Sequence, residues 1–546
     1  MIRVEEITLP QGSSLVNEQC ADINLIIGSN NSGKTTFLNG LYSDVKSLHS
    51  HYPNGSRIQG IKMSAEKTDK NMQQIFPRLQ NASGGFCNLS EISENLFLGE
   101  TKDNSIFWNH DVYNALVDPN KKKFEFKFSY GSYEKLNPEY ALFVFLTRIL
   151  INFEECTNRL NCKFDTVIND LSQTPDNDFI FHLFKNRKIF SIIQKNIKDV
   201  YGLEIDFDNL NQGHKPLRII LRKVNSKITD PFKLNYEWKS KTIPLDSIGH
   251  GIRSYLKLVF TLLHPANQII LIDEPEMFIH PPQRRTLGKL ISFLASKENK
   301  QLFIATHDAE FMRGVLSTSN NVKIFRLINE NYKYSHHSIA SQDILSLIKK
   351  QSSNILNERI LNSLFYKTTV LCENENDRVF YEEAMANYHW PKFHDINFVG
   401  FTGKSVSVGI YNKLKQLNIK PVLILDIDYL VVGNFPDIQD TKLKEKYDAL
   451  KAKFLTLSFS KQNPDYIEFK KLGLKVLNRK KYRFLSKDAK ELMSLFAKHQ
   501  VYIVPVGELE SWTGVEKNDL PSALTKIRNQ KIAPLANFLT KISNLC

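Results

Sequence analysis

The chain has 546 residues, 42% of them hydrophobic, 11% aromatic and 24% charged, enough apolar side chain for sizeable cores and unlike a disordered tail or a disulfide-stapled miniprotein; at roughly 100–200 residues per domain it should hold about three folding units. The 72 Lys+Arg against 58 Asp+Glu leave a formal charge of +14, a field that attracts polyanions. Six cysteines contain no C-x-x-C pair, so a zinc site or disulfide framework has no support and reduced thiols are expected.

The opening MIRVEEITLP lacks the basic and continuous apolar regions of a signal peptide, which predicts a cytoplasmic chain starting in a strand. An apolar strand Ile23 to Ile27, a Gly-containing turn and a helix from about Lys34 follow. Helical periodicity runs from Asn137 to Phe184, with a helical insertion expected over about 137–200. Within it, the apolar run Tyr140 to Phe153, broken by Arg148, reads as a buried helix. It is too short for the roughly 20 residues of a spanning helix, and no membrane association is expected. Strands are expected around Leu217 to Leu221 and Phe232 to Trp238. Strands and helices then alternate at Gln268 to Ile272, Leu287 to Ala295, Gln301 to Ala305 and Val322 to Leu327, the pattern of an α/β fold with a parallel sheet. A helical connector is expected over 346–366. A second α/β domain then runs over 367–546, with strands Thr368 to Cys372, Ile396 to Val399 and Pro421 to Leu425 and helices Asp377 to Tyr388 and Lys404 to Leu417. Residues 437–500 carry 16 Lys/Arg against 8 Asp/Glu, interleaved with Phe454, Phe459, Tyr466, Phe469, Tyr482 and Phe484. This reads either as a solvated basic face or as a nucleic-acid footprint.

Residues 28–35 read GSNNSGKT, a full G-x-x-x-x-G-K-[ST] phosphate loop between an apolar strand and a helix. Gly28 and Gly33 let the backbone turn N–H groups toward phosphate. Lys34 reaches the β and γ phosphates, and Thr35 offers its hydroxyl to Mg²⁺. Asn30, Asn31, Ser32 and Thr36 complete the expected ATP contacts. QIILIDEP (268–275) is an apolar strand ending in two acids: Asp273 suits the magnesium shell, and Glu274 the activation of the attacking water. His307 ends another apolar strand about 30 residues on. In the second domain, Glu373 with Asp377, and Asp426 with Asp428, stand at two apolar strand ends. The spacing of two puts Asp426 and Asp428 on one side of an extended strand end. Ligand sites of open α/β sheets lie beyond such ends, and four carboxylates suit Mg²⁺ or Mn²⁺.

Asp273-Glu274-Pro275-Glu276 followed by His280-Pro281 resembles the Walker B and D-loop region of ABC-type ATPases of the SMC and OLD kind, and His307 matches their switch histidine. The resemblance implies that Ser247 and Gly249 form the signature motif. In that group the motif of one protomer closes over the γ-phosphate held by another, so a homodimer or higher homo-oligomer through the ATPase domain is implied. For the Q-loop glutamine, Gln73, Gln74 and Gln80 remain open. Glu373 and Asp426-x-Asp428 resemble the Toprim acidic motifs, with Asn374 where that family usually carries Gly. Glu510 is similar to the extra acid that OLD nucleases bring to a two-metal site. The order of an ABC-type ATPase (1–345) and a Toprim-like domain (367–546) resembles the OLD family of ATP-dependent nucleases. Some of its members act in anti-phage defence, among them retron effectors whose partners are a reverse transcriptase and its RNA-linked DNA. The resemblance implies an ATPase and metal-dependent DNA endonuclease, with Glu274, His307, Glu373, Asp377, Asp426, Asp428 and Glu510 catalytic, ATP and Mg²⁺ (or Mn²⁺) as cofactors and DNA as partner. The alternative is an SMC-like ATPase that senses or clamps nucleic acid with a non-catalytic Toprim domain.

Overall fold

The computed structural model describes residues 2–11, 14–47, 58, 60–66, 123–129, 151–155, 159, 165–166, 183, 186–208, 217–223, 242–244, 248–264, 267–330, 333–348, 354–390, 393–457, 459 and 463–543. The chain divides into two compact units, Met1–Ser341 and Gln342–Cys546. Among the described residues no helix is long and apolar enough to cross a membrane.

The first unit contains β1 (Ile2–Gln11), β2 (Ser14–Gln19), β3 (Ile23–Gly28), α1 (Lys34–Ser47), β4 (Gly60–Glu66), β5 (Lys123–Ser129) and β6 (Ile151–Glu154). Next come β7 (Asp165–Thr166), α2 (Arg187–Tyr201), β8 (Leu203–Asp208), β9 (Leu217–Lys223), β10 (Thr242–Pro244) and α3 (His250–Leu263). The unit closes with β11 (Ile269–Asp273), α4 (Pro281–Lys297), β12 (Gln301–Ala305), α5 (Ala309–Leu316), β13 (Val322–Glu330) and β14 (Lys333–Ala340). Its main sheet runs β14-β13-β3-β12-β11-β6. All neighbours are parallel except β13 and β14. β3, β11 and β12 are buried along their whole length, as expected of parallel strands covered on both faces. A second sheet, β2-β1-β4-β5, is antiparallel. Two buried amides tie β1 to the main sheet. Gln301 accepts from the Val4 N–H and donates to its carbonyl, both at 2.8 Å, and Gln268 accepts from the Ile2 N–H.

The helical insertion expected over about 137–200 is interrupted by strand. Ile151–Glu154 pairs in parallel with β11, and Asp165–Thr166 pairs with β9; the long helix is Arg187–Tyr201. A short buried strand and a buried helix segment both read as an unbroken apolar run, and periodicity alone does not separate them. The strand expected at Phe232 to Trp238 lies outside the described residues.

From Ser341 onward come α6 (Ser341–Ile348), α7 (Asn354–Asn362), β15 (Thr368–Cys372), α8 (Glu375–Asn387), β16 (Ile396–Gly400), α9 (Lys404–Gln416), β17 (Lys420–Leu425) and the short α10 (Tyr429–Val432). They are followed by α11 (Thr441–Thr456), α12 (Pro464–Leu472), α13 (Leu474–Leu477), α14 (Arg483–Lys498), β18 (Val501–Ile503), α15 (Glu510–Thr513), α16 (Leu520–Asn529) and α17 (Ala533–Ser543). The sheet order is β16-β15-β17-β18, all parallel, so four carboxyl ends share one edge.

The aromatics of the basic segment do not form a stacking surface. Phe454, Phe459, Tyr466, Phe469 and Tyr482 are buried, and Phe459 packs edge-on to Tyr466, Phe469 and Tyr482. Only Phe484 of the six is exposed. The interleaving is the helical period of α11 to α14 wrapping a core, with the lysines left on the outside. Several of these basic residues are held by acids, Lys453 by Asp488 and Arg479 by Glu468.

Candidate functional sites

The nucleotide site is assembled where β3, β11 and β12 end. Gly28 (φ 153°) and Gly33 (φ 80°) occupy backbone conformations that side chains rarely adopt. A Cβ at Gly28 would also lie 2.4 Å from the Leu327 carbonyl. Asn30 and Asn31 are exposed at the loop tip, Ser32 is buried, and Thr36 is exposed on the first turn of α1. The Lys34 ammonium donates to the Gly28 and Ser29 carbonyls at 3.1 and 3.3 Å. Burial holds its pKa below the ordinary lysine value, against the opposing pull of Glu274, Glu276 and Asp273. A desolvated ammonium leaning on carbonyl oxygens is poised for an anion.

Thr35 Oγ1 donates to Asp273 Oδ2 at 2.8 Å, while Asp273 Oδ1 is buried without a partner. That bare oxygen beside the threonine hydroxyl fits a magnesium shell. Burial raises the Asp273 pKa. Glu274 sits at φ 48°, with its N–H on the Ala305 carbonyl and its carboxylate 3.3 Å from His307 Nδ1. The hydrogen bond between the last two lowers the carboxyl pKa and raises that of the imidazole. Glu276, fully buried, accepts from the Thr306 hydroxyl and the His307 N–H and lies 3.2 Å from His307 Nδ1. Gly249 caps the N-terminus of α3 without a side-chain bond; Ser247, Gln73, Gln74 and Gln80 lie outside the described residues.

Arg159 is a feature that the sequence reading does not find. It is completely buried and donates to the carbonyls of Asp273 (3.0 Å) and Glu274 (2.7 Å). It thus clamps the turn that carries both acids, and no local motif announces it.

In the second unit the four strand ends deliver charge to one place. β15 leads to Glu373, β17 to Asp426 and Asp428, β18 to Glu508 and Glu510, and β16 to Lys404 at the start of α9. Glu373, Asp426 and Asp428 each present an oxygen within 4.8 Å of the others. Asp428 is not on an extended strand, as its spacing suggests. It is in helical conformation (φ −67°, ψ −8°) at the start of α10, and the turn rather than the pleat brings the two aspartates together.

Asp377 and Glu510 stand outside that tight group among the described residues. They line a neighbouring cavity of about 160 Å³ with Glu373, Asp426, Glu508 and Lys517. Asp377 is partly committed: its Oδ2 accepts from the Asn374 N–H, while Asn374 caps the Asp377 N–H. Asn374 is extended (φ −140°), so glycine is not required there, and asparagine supplies a capping box that glycine cannot. Burial and then the Glu373 charge push the Asp377 pKa up to about 7. Burial, followed by the charges of Glu373, Asp377 and Asp428, raises the Asp426 pKa well above its ordinary value. Glu373 is raised by burial despite the opposing Lys404 charge, and its Oε2 is buried without a partner. Crowded, desolvated carboxylates with a bare oxygen fit a hard divalent cation.

Three lysines missed by the sequence reading enter this site. Lys404 is ion-paired with Asp428 and lies 3.8 Å from Glu373. Lys470 (3.1 Å) and Lys517 (2.8 Å) pair with Glu508, whose carboxyl ends below its ordinary value because the two ammonium groups outweigh its burial. Gly403-Lys404, between a buried strand and a helix, is a signal that could have found the first; Lys470 comes from α12 and Lys517 from the turn between α15 and α16.

Comparison with known proteins bears on the domain that holds the first of these sites. The family model described as an AAA ATPase domain matches residues 100–312, under half of the chain. An OLD nuclease of Thermus scotoductus is 24% identical over 234 residues, 40% of this chain and 42% of that protein. Endonuclease GajA of Bacillus cereus is 23% identical over 182 residues, 29% and 26% of the two chains. The chain thus spans less than half the length of these curated relatives. Among solved structures, an Smc head domain bound to the C-terminal domain of ScpA, from Pyrococcus furiosus, covers 64% of this chain and 99% of its own at 10% identity. Its TM-score of 0.35 is too low to bear on function. The chain carries an ATPase domain with distant similarity to an OLD nuclease and to endonuclease GajA.

Proposed function

We propose that this protein is an ATP-regulated, divalent-metal-dependent nuclease acting on DNA, with the ATPase in the first unit and a Toprim-like nuclease site in the second. The observation that carries the reading is the convergence of Glu373, Asp426 and Asp428 at one edge of a parallel sheet, with lysines placed for phosphate beside them. A bound Mg²⁺ or Mn²⁺ would polarise the scissile phosphate and stabilise the attacking and leaving oxygens. Glu373, Asp426 and Asp428 would hold it, and Asp377, Glu508 and Glu510 line the adjoining cavity as further acids of the same site. Lys517 and Lys470 would meet the charge that develops on the phosphate.

In the ATPase, Lys34 neutralises the β and γ phosphates and Asp273 with Thr35 supports Mg²⁺. Glu274, whose pKa the hydrogen bond from His307 lowers, would accept a proton from the attacking water. Closure of two protomers through Ser247 and Gly249 and a role in anti-phage defence are part of the proposal. Purified protein incubated with plasmid, linear and single-stranded DNA and with RNA, with Mg²⁺ or Mn²⁺ and with or without ATP, tests it directly. Metal-dependent cleavage of DNA that disappears in Asp428→Ala supports the nuclease.

One observation favours the clamp reading, in which the second site does not cut. Both oxygens of Asp428 are already taken, one by Lys404 and the other by the Tyr466 hydroxyl at 3.2 Å. ATP-dependent DNA retention without cleavage under every metal tried would select it.

A further inference from the structure

The Lys404–Asp428 pair lies beside a cavity of about 570 Å³ lined by Lys404, Ser405, Asn434, Tyr466 and Lys470 together with Glu373 and Asp428. Lys404 is the first residue of α9, after Gly403 (φ 142°), which offers no side-chain cap. The N-terminus of that helix therefore opens at the same place, and anions are favoured there. The ammonium rests on Asp428 and near Glu373 at one wall of the cavity, which Lys470 and the start of α9 also line.

Asp428 cannot serve two cations at once. Its Oδ2 accepts from Tyr466, so Oδ1, which holds Lys404, is the oxygen that a metal needs. Glu373 differs: Oε1 is 3.8 Å from the same ammonium, and Oε2 is bare. A lysine side chain is a flexible stem carrying a compact point charge, and the cavity gives it room to move.

We propose that Lys404 is a built-in counter-ion of the carboxylate cluster, one that a divalent cation must evict, and that the evicted ammonium swings into the adjoining cavity to bind a phosphate oxygen of a nucleic-acid strand. The proposal rests on the metal-site reading above. Without metal, Lys404 neutralises the acids and the cavity is short of one positive charge. With metal, the cluster is neutralised from outside and Lys404 joins Lys470 facing the cavity. Metal and nucleic acid then strengthen each other's binding, and by linkage the two gains are equal.

Mn²⁺ binding to the full chain without nucleotide, followed by electron paramagnetic resonance, reads the first half. Asp428→Asn identifies the share of binding that belongs to the cluster. Lys404→Met should bind Mn²⁺ at the cluster at least about tenfold more tightly than wild type, because the competitor is gone, whereas loss of a merely structural contact weakens binding or leaves it alone. Lys404→Arg should restore the weaker value and shows that the position folds with a cation. Lys453→Met, which removes an exposed charge paired with Asp488, should shift affinity by no more than roughly threefold, as solvent-screened charges do. The second half is read by DNA affinity with and without Ca²⁺. The Ca²⁺-dependent gain of wild type should largely vanish in Lys404→Met. Unchanged or weaker Mn²⁺ binding in Lys404→Met, or an equal rise in Lys453→Met, overturns eviction while leaving the metal site intact. If Asp428→Asn does not alter Mn²⁺ binding, the metal site itself is wrong and the proposal falls with it.

Discussion

The two sites are electrostatic opposites. In the first unit a buried ammonium leans on carbonyl oxygens and has its pKa pushed down, so the loop is prepared for an anion. In the second, buried carboxylates crowd one another and are pushed up, so the sheet edge is prepared for a cation. The networks differ as well. Around Glu274 the groups support each other, with His307 on the carboxylate and Arg159 on the backbone. Around Asp428 the partners Lys404 and Tyr466 occupy the oxygens that the chemistry requires. An anion site can be finished before its ligand arrives because N–H groups and one lysine tolerate the empty state. A cluster of acids tolerates it only with a substitute cation.

The contrast breaks first, and with the largest effect, at the carboxylates. Asp428→Ala or Glu373→Ala should lower DNA cleavage by about three orders of magnitude or more, the scale of losing metal-supported charge stabilisation. ATP turnover should stay within about twofold, since groups with no shared partner act additively. Cleavage gels and phosphate release on the same preparations check this, and surviving cleavage would remove the nuclease assignment. At the nucleotide site, Lys34→Ala should abolish ATP binding. Glu274→Gln should bind ATP yet turn over roughly 10²–10⁴-fold more slowly, the range for loss of a positioned base. It should also accumulate a nucleotide-dependent dimer on size-exclusion chromatography. Normal turnover in that variant would send the role of base elsewhere.

A smaller effect is expected at Arg159, which donates to the two backbone carbonyls of the turn that bears both acids. Removing it takes one hydrogen bond from each of two carbonyls, of which that of Glu274 keeps the Met277 N–H, at a cost of about 1–3 kcal/mol, and loosens the turn bearing Glu274. Arg159→Met should therefore lower kcat roughly tenfold with the dissociation constant for ATP nearly unchanged, and Arg159→Lys should recover part of the loss. A fall in ATP affinity with unchanged kcat would show that Arg159 serves binding instead. The smallest effect is purely structural. Gly288 on α4 and Gly314 on α5 face the other helix's backbone so closely that a Cβ would lie 2.3 Å from the Phe311 carbonyl or 2.2 Å from that of Arg285. Gly288→Ala should cost about 1–3 kcal/mol by overpacking. The thermal transition that ATP shifts upward should fall by several degrees, while Mn²⁺ affinity at the carboxylates stays the same; a change in that affinity would show that the sites are not separable.

Much of this was legible along the chain because its causes are local. The phosphate loop needs glycine where φ is positive and a lysine at a fixed offset, and residues 28–35 carry both. The strands β3, β11, β12, β15 and β17 are largely buried and so are written as mainly apolar runs, with Asp273, Glu373 and Asp426 at or just past the ends of β11, β15 and β17. The parallel α/β character of both units follows from the same alternation.

What tertiary structure alone decided depends on partners far apart in sequence. β6 is a strand because β11 offers it a parallel edge, although its apolar run reads equally well as helix. The aromatics of residues 454–482 are core because four helices fold around them. Arg159 reaches Asp273 and Glu274 across more than a hundred residues. Asp428 meets Asp426 through a helical turn, and meets Lys404 because β16 and β17 flank β15 and end at the same edge of the sheet. A sequence records the preferences of each residue for its neighbours in the chain. Which charges share a site is set by the order of strands in the sheet, and that order is determined by the packing of the whole unit.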